Sequence, residues 1–451
     1  MTASPLIVYQ FVTVDYDWPE ETSKEAFINN GSFIVSNNII TGLKIYENRV
    51  FVTVPRWKQG VPSTLNEVVV NPKNTTNYVL RPFPSWEMQT LGNCSCLQYV
   101  QSMEIDPYGR MWIIDTGRVN FLDNQTVPDN TCPPKFLLWD IPKNQLLSKY
   151  TFPNEVAPYN STFLNDIVVD IKHEIAYISD VLGTEPGAIV VYDHSEQQSH
   201  RFADPTMTHD PESSEASTIR INNYTLNTTT SQDGISLSPN LEYVYYCPMA
   251  SYKLYRIPTS TLRNYTDDKT AHSIQFLGER RSQMDGMTFS NDSVLYFGSF
   301  SDDAIAMLPS FFTNVSSQEQ LLFRNSTTMQ WQDTWAWDNQ GYVWWTTNRL
   351  HRYFLQNMDW TGGEGANMRV CKMFVGASSY MMASVEHETS SSHHGLSSVI
   401  IGLIVMSVVV SILLHNYTFL YYPKKSILFF QFNTRLISAY LVTEIKQKRG
   451  E

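Results

Sequence analysis

The sequence predicts an all-β fold, a six-bladed β-propeller, followed by a single C-terminal transmembrane helix. Three observations carry this prediction. A unit of two apolar strands around a polar turn recurs six times between residues 41 and 354. No long amphipathic helical pattern competes with it before Gly395. Beyond that point, residues 396–414 form a run without a single charge.

The repeats open as TGLKIYENRVFVTV at Thr41, QSMEIDPYGRMWIID at Gln101 and NDIVVDIKHEIAYISD at Asn165. They continue as DGISLSPNLEYVYYC at Asp233, DGMTFSNDSVLYFG at Asp285 and DTWAWDNQGYVWWTT at Asp333. Successive openings lie 48 to 68 residues apart. Period-two alternation marks half-buried strands. The turns between them, such as Pro107-Tyr108-Gly109 and Asp338-Asn339-Gln340-Gly341, carry residues that tight hairpins need. Strand-like runs at 188–192 and 252–257 lie between units. Four short strands in about 50 to 60 residues make one propeller blade.

The innermost strand of each blade runs beside the central channel, so equivalent positions form a ring. The six openings, Thr41, Gln101, Asn165, Asp233, Asp285 and Asp333, are all polar. The next register, Gly42, Ser102, Asp166, Gly234, Gly286 and Thr334, is small or polar and adds a fourth acid. Crowded carboxylates raise each other's pKa unless a cation lies among them. The ring would suit Ca²⁺ held by oxygen ligands. It would equally suit an ammonium group, with Trp331, Trp335, Trp337, Trp344 and Trp345 supplying cation–π contacts. The plainer alternative is that Asp before Gly caps a turn in each blade.

The formal net charge of −12 disfavours nucleic acid as a partner, because an acidic surface repels phosphates. With 13% aromatic and 17% charged residues the chain is built to fold. It carries no nucleophile elbow, P-loop, dinucleotide fingerprint or H-E-x-x-H motif. Glycosylation sequons stand at Asn30, Asn74, Asn93, Asn124, Asn160, Asn223, Asn227, Asn264, Asn291, Asn314 and Asn325, with Asn416 beyond the apolar run. Their abundance predicts an extracellular glycoprotein. Residues 1–14 lack the cationic and apolar regions of a signal peptide, so a leader is expected to be missing from the given sequence.

The expected organisation is a propeller over 1–385, a Ser/His-rich stalk over 386–395 and a hydrophobic anchor over 396–414. A basic cytoplasmic tail or mispredicted extension follows over 415–451. Residues 396–414 would span about 28 Å as a helix, close to a bilayer core. Lys and Arg beyond it place the tail inside and the propeller outside. A GPI signal is the alternative, although such a signal should end the chain.

Several segments resemble the yellow / major royal jelly protein family. They include VFVTVPRWKQGVPSTLN at 50–66, SMEIDPYGRMWIIDTGR at 102–118, CPPKFLLWDI at 132–141 and AYISDVLGTEPGAIVVYD at 176–193. DGISLSPNLEYVYYCPMASYKLYRIPT at 233–259 and NRLHRYF at 348–354 add to them. The resemblance spans about residues 10 to 380 and implies a six-bladed propeller, usually secreted and glycosylated. It implies an amine site in the central channel near Thr334 and Asn348; together with the ring acids and Asn165 read from the repeat register, the candidate ligand set is Asn165, Asp166, Asp233, Asp285, Asp333, Thr334 and Asn348. It also suggests disulfides joining Cys94 or Cys96 to Cys132 and Cys247 to Cys371. The ring is similar to that of calcium-dependent propeller lactonases, with Asn165 and Asp285 in matching places. However, Asp233 replaces an Asn there, and the expected Glu near Gly42 is missing.

The expected function is therefore binding of a small cationic or aromatic ligand, such as a biogenic amine, in the channel. Dopachrome-type isomerisation or lactone hydrolysis is one alternative. A structural role at the cell surface is the other.

Overall fold

The computed structural model describes residues 4–72, 74–123, 126–181, 187–264 and 273–382. The chain divides into two units, Met1–Val385 and Glu386–Glu451, and every described residue lies in the first. The expected stalk, anchor and tail lie outside the described residues. Among the described residues, no helix is long and apolar enough to cross a membrane.

Six four-stranded antiparallel sheets form the blades. Their innermost strands are Leu43–Tyr46, Val100–Ile105, Leu164–Asp170, Gln232–Leu237, Met287–Phe289 and Trp331–Trp337. These define blades 1 to 6 and match the six sequence repeats. Blades 1 to 5 each take four strands in chain order. Blade 6 takes three, ending at Met368–Phe374, and borrows its outermost strand from Leu6–Phe11 at the other end of the chain. That pairing closes the ring.

The hairpin turns show why the repeats were legible. In DPYGRMW, Asp106 Oδ1 accepts from the Tyr108 and Arg110 amides, and Oδ2 accepts from Trp112 Nε1 at 3.1 Å. In DNQGYVW, Asp338 accepts from the Gln340 and Tyr342 amides and from Trp344 Nε1 at 2.8 Å. Gly109 and Gly341 take the positive φ that each turn requires. One carboxylate thus sets the turn and fixes the tryptophan that packs the next blade face.

Of the expected cysteine pairings, one alternative for Cys132 is present and the Cys247–Cys371 bridge is not. Cys94 is bonded to Cys132, whereas Cys96, Cys247 and Cys371 are buried free thiols. Cys96 Sγ donates to the Glu87 carbonyl instead. Cys247 belongs to blade 4 and Cys371 to blade 6, in separate packing clusters.

Candidate functional site

Four of the six ring positions owe their orientation to β-bulges. Pairing with the second strand slips between Val100 and Met103, Leu164 and Ile167, Gln232 and Ile235, and Gln332 and Trp335. The residues inside those slips are Gln101-Ser102, Asn165-Asp166, Asp233-Gly234 and Asp333-Thr334. A bulge breaks the period-two alternation and re-aims a side chain. Here it leaves the first residue of each pair facing the channel.

The glycines have a separate cause. A Cβ on Gly234 would collide with the Asp285 carbonyl oxygen, and one on Gly286 with that of Asp333. The Gly286 amide donates to that same Asp333 oxygen at 3.1 Å. Adjacent blades therefore touch backbone to backbone behind the carboxylates. The Asp-Gly pairs are blade-contact devices as well as channel-lining ones.

Gln101, Asn165, Asp233, Asp285 and Asp333 line a cavity of about 610 Å³. Trp57, Phe121, Phe163, Trp331 and Phe354 give it aromatic walls, together with Leu226, Met249 and Leu350. Arg118 is the one cation among its described lining residues; it donates to the Ser161 carbonyl at 3.3 Å and lies 4.7 Å from the Phe121 ring.

The acids are buried and linked. Asn165 Nδ2 donates to Asp233 Oδ1. Asp285 lies close enough to Asp233 for the two carboxyls to act on each other, and burial with that repulsion favours a proton on one of them. Trp331 Nε1 donates to Asp285 Oδ2 at 2.7 Å. Asn348 Nδ2 donates to Asp333 Oδ2 at 3.2 Å and Thr334 Oγ1 to Oδ1 at 3.3 Å. Burial and then the neighbouring Asp285 hold Asp233 and Asp333 well above the usual carboxylate range. Burial raises Asp285 to about 6, against the pull of the Trp331 donor.

Of the predicted ligand set, Asn165, Asp233, Asp285 and Asp333 line the cavity. Asp166, Thr334 and Asn348 do not. Asp166 accepts from Ser102 Oγ at 2.8 Å, while Asn348 and Thr334 support Asp333 from behind. Further along the same strands the channel is filled. Lys44 pairs there with Glu104 at 3.0 Å and donates to the Trp335 carbonyl. The tryptophan expectation is corrected too: Trp331 alone of the five reaches the cavity, and the other four pack into blade cores. Past the bulge at Asp333-Thr334 the alternation resumes in a new register, which turns Trp335 and Trp337 toward a neighbouring blade.

The donors present do not fit a calcium cage. Asn165 turns its amide N–H, not its oxygen, toward Asp233, and Trp331 occupies an Asp285 oxygen. Among the described residues no cluster of three or more His, Cys, Asp or Glu side chains could hold a metal ion.

Sequence reasoning missed Arg118 and the walls formed by Trp57, Phe121, Phe163 and Phe354. It also missed the extra hairpin, Thr218–Ile221 with Tyr224–Asn227, which supplies Leu226 and Asn227. These residues come from outside the repeated strand pairs: loops, the inserted hairpin and, for Phe354, the short helix Leu350–Phe354.

The comparisons with known proteins agree with the architecture. Major royal jelly protein 3 of Apis mellifera is 26% identical over 339 residues, covering 72% of this chain and 58% of that protein. The Dopaminechrome tautomerase of Drosophila melanogaster is 28% identical over 388 residues, covering 81% of each. Protein yellow of Drosophila yakuba is 26% identical over 369 residues, covering 78% of this chain and 66% of its own. The chain thus spans less than two thirds of the length of two of these relatives. The major royal jelly protein family matches residues 98–372, from the innermost strand of blade 2 to the last strand of blade 6. With more than half of its length matched, the chain belongs to the major royal jelly protein family.

Proposed function

We propose that this protein is an extracellular glycoprotein that binds a small aromatic amine in the propeller cavity. One observation carries the reading: three buried carboxyl groups, Asp233, Asp285 and Asp333, form the floor of a cavity walled by aromatic rings. An ammonium placed among the acids replaces the proton that one of them holds and relieves their mutual repulsion. Its ring would pack against Trp57, Trp331 or Phe163, where cation–π and edge contacts add selectivity. The many sequons favour the extracellular setting, and the apolar run at 396–414 favours an anchor.

Calorimetric titration with tryptamine tests the reading, with ethylamine and indole as controls. Tryptamine should bind at least about tenfold more tightly than either control, and Asp333→Asn should weaken it by a similar factor. Equal heats from all three compounds would sink the proposal.

A second reading is tautomerisation, the activity named for the Drosophila relative. The Asp233–Asp285 pair favours it, because one member carries a proton and the other can accept one. A carboxylate takes a proton from one substrate atom and the adjacent acid returns one to another, leaving the pair's total unchanged. Decay of dopaminechrome absorbance, compared between the native chain and Asp285→Asn, separates turnover from binding.

A further inference from the structure

Two sequon asparagines stand among the residues that line the cavity. Asn160 lies in the connection between blades 2 and 3, and Asn227 ends the extra hairpin. Both are exposed. Each heads an intact sequon, Asn160-Ser161-Thr162 and Asn227-Thr228-Thr229. We propose that N-glycans on Asn160 and Asn227 flank the cavity mouth and set an upper size limit on what enters. This goes beyond the amine reading and rests only on the glycoprotein half of the proposed function.

Both attachment points are held in place. The Thr162 amide donates to the Pro158 carbonyl at 2.8 Å, and Thr162 Oγ1 donates to Asp180 at 2.8 Å. The hairpin rests on the short helix Leu350–Phe354. The Tyr224 ring meets His351 at 5.7 Å, and the Arg352 guanidinium lies 4.9 Å from the Tyr224 ring. At the hairpin tip, Asn222 Nδ2 donates to the Ser326 carbonyl at 2.9 Å. Sugars on such segments cannot swing away with a loose loop. A glycan is bulky and strongly hydrated, so it obstructs large solutes while water and small amines pass. Asn314 is also an exposed sequon but does not line this cavity, which makes it the control.

The test uses the full chain, secreted from insect cells behind an added leader and carrying Thr230→Cys. Thr230 is half-buried and lines the cavity, whereas the native free thiols Cys96, Cys247 and Cys371 are buried. Labelling rates are measured with N-ethylmaleimide and with a polyethylene-glycol maleimide. Removing both glycans by Asn160→Gln and Asn227→Gln should raise the polymer rate relative to the small reagent by about tenfold or more. Asn314→Gln should leave the ratio unchanged. Endoglycosidase treatment of the folded chain should reproduce the change without any substitution. An unchanged ratio in the double variant, or glycopeptide mapping that finds both asparagines bare, would overturn the proposal. Neither outcome touches the tryptamine titration, so the two readings fail separately.

Discussion

Asp285 is the residue on which binding and stability meet. Its carboxyl is raised to about 6, so the folded state favours its protonated form. A raised carboxyl contributes stability below its unfolded value, and that contribution is lost as pH rises through the folded value. Asp285→Asn removes the titration while keeping an oxygen for the Trp331 donor. Urea unfolding should therefore find the variant more stable than the native chain by about 1 to 3 kcal/mol at neutral pH, with the gap closing near pH 4. Tryptamine affinity should move the other way. In the native chain it weakens as pH falls through about 6, because protons then compete with the ammonium. Calorimetry in two buffers of different ionisation enthalpy would read the released proton directly.

Gly286 marks a second residue-scale limit. Its missing side chain lets blades 5 and 6 meet at the Asp333 carbonyl. Gly286→Ala should cost about 3 kcal/mol in urea unfolding, since backbone and not a flexible side chain must give way. A cost below about 1 kcal/mol would show that the ring can expand there.

At the level of elements, the repeating strands were readable and the connections were not. Alternation, Asp-Gly pairs and hairpin turns revealed the blade starts because each obeys local chemistry within a dozen residues. Asn165, Asp233, Asp285 and Asp333 followed from that register. Phe121, Arg118 and Leu226 did not, since no periodicity governs a loop or an inserted hairpin. The choice between Cys94 and Cys96 as the partner of Cys132 was hidden for the same reason: it depends on how the segment before blade 2 folds back. The Cys94–Cys132 bond closes a separation of 38 residues and anchors the stretch that carries Arg118 and Phe121. Replacing both cysteines by serine should cost about 3 to 4 kcal/mol of stability. It should also weaken tryptamine binding, because one cavity wall loses its tether; unchanged affinity would separate the staple from the site.

On the scale of the whole molecule, stability depends on closure. Six sheets share no continuous hydrogen-bond network, and each stands against its neighbours through side-chain packing and the backbone contacts behind the acids. Among the described residues, Leu6–Phe11 is the one strand that joins the two ends of the ring. Deleting it exposes the edge of Met368–Phe374 and unseats Phe11 from its cluster. An exposed strand edge invites association. The truncated chain should therefore melt at lower temperature and elute partly as aggregate on size exclusion. A monomer with native melting behaviour would show that three strands suffice for blade 6.

That closure also imposes a schedule. Leu6 pairs with Lys372, so this strand waits for a partner made more than 300 residues later. At ordinary rates of synthesis the interval is roughly 20 to 70 seconds, long compared with the folding of a single hairpin. During it, an apolar segment reading LIVYQF has no partner in its own chain. Two nascent chains held side by side could then exchange their opening strands, each completing the other's sixth blade. Crowding on the ribosome would decide whether the product is a monomer or an interlocked pair.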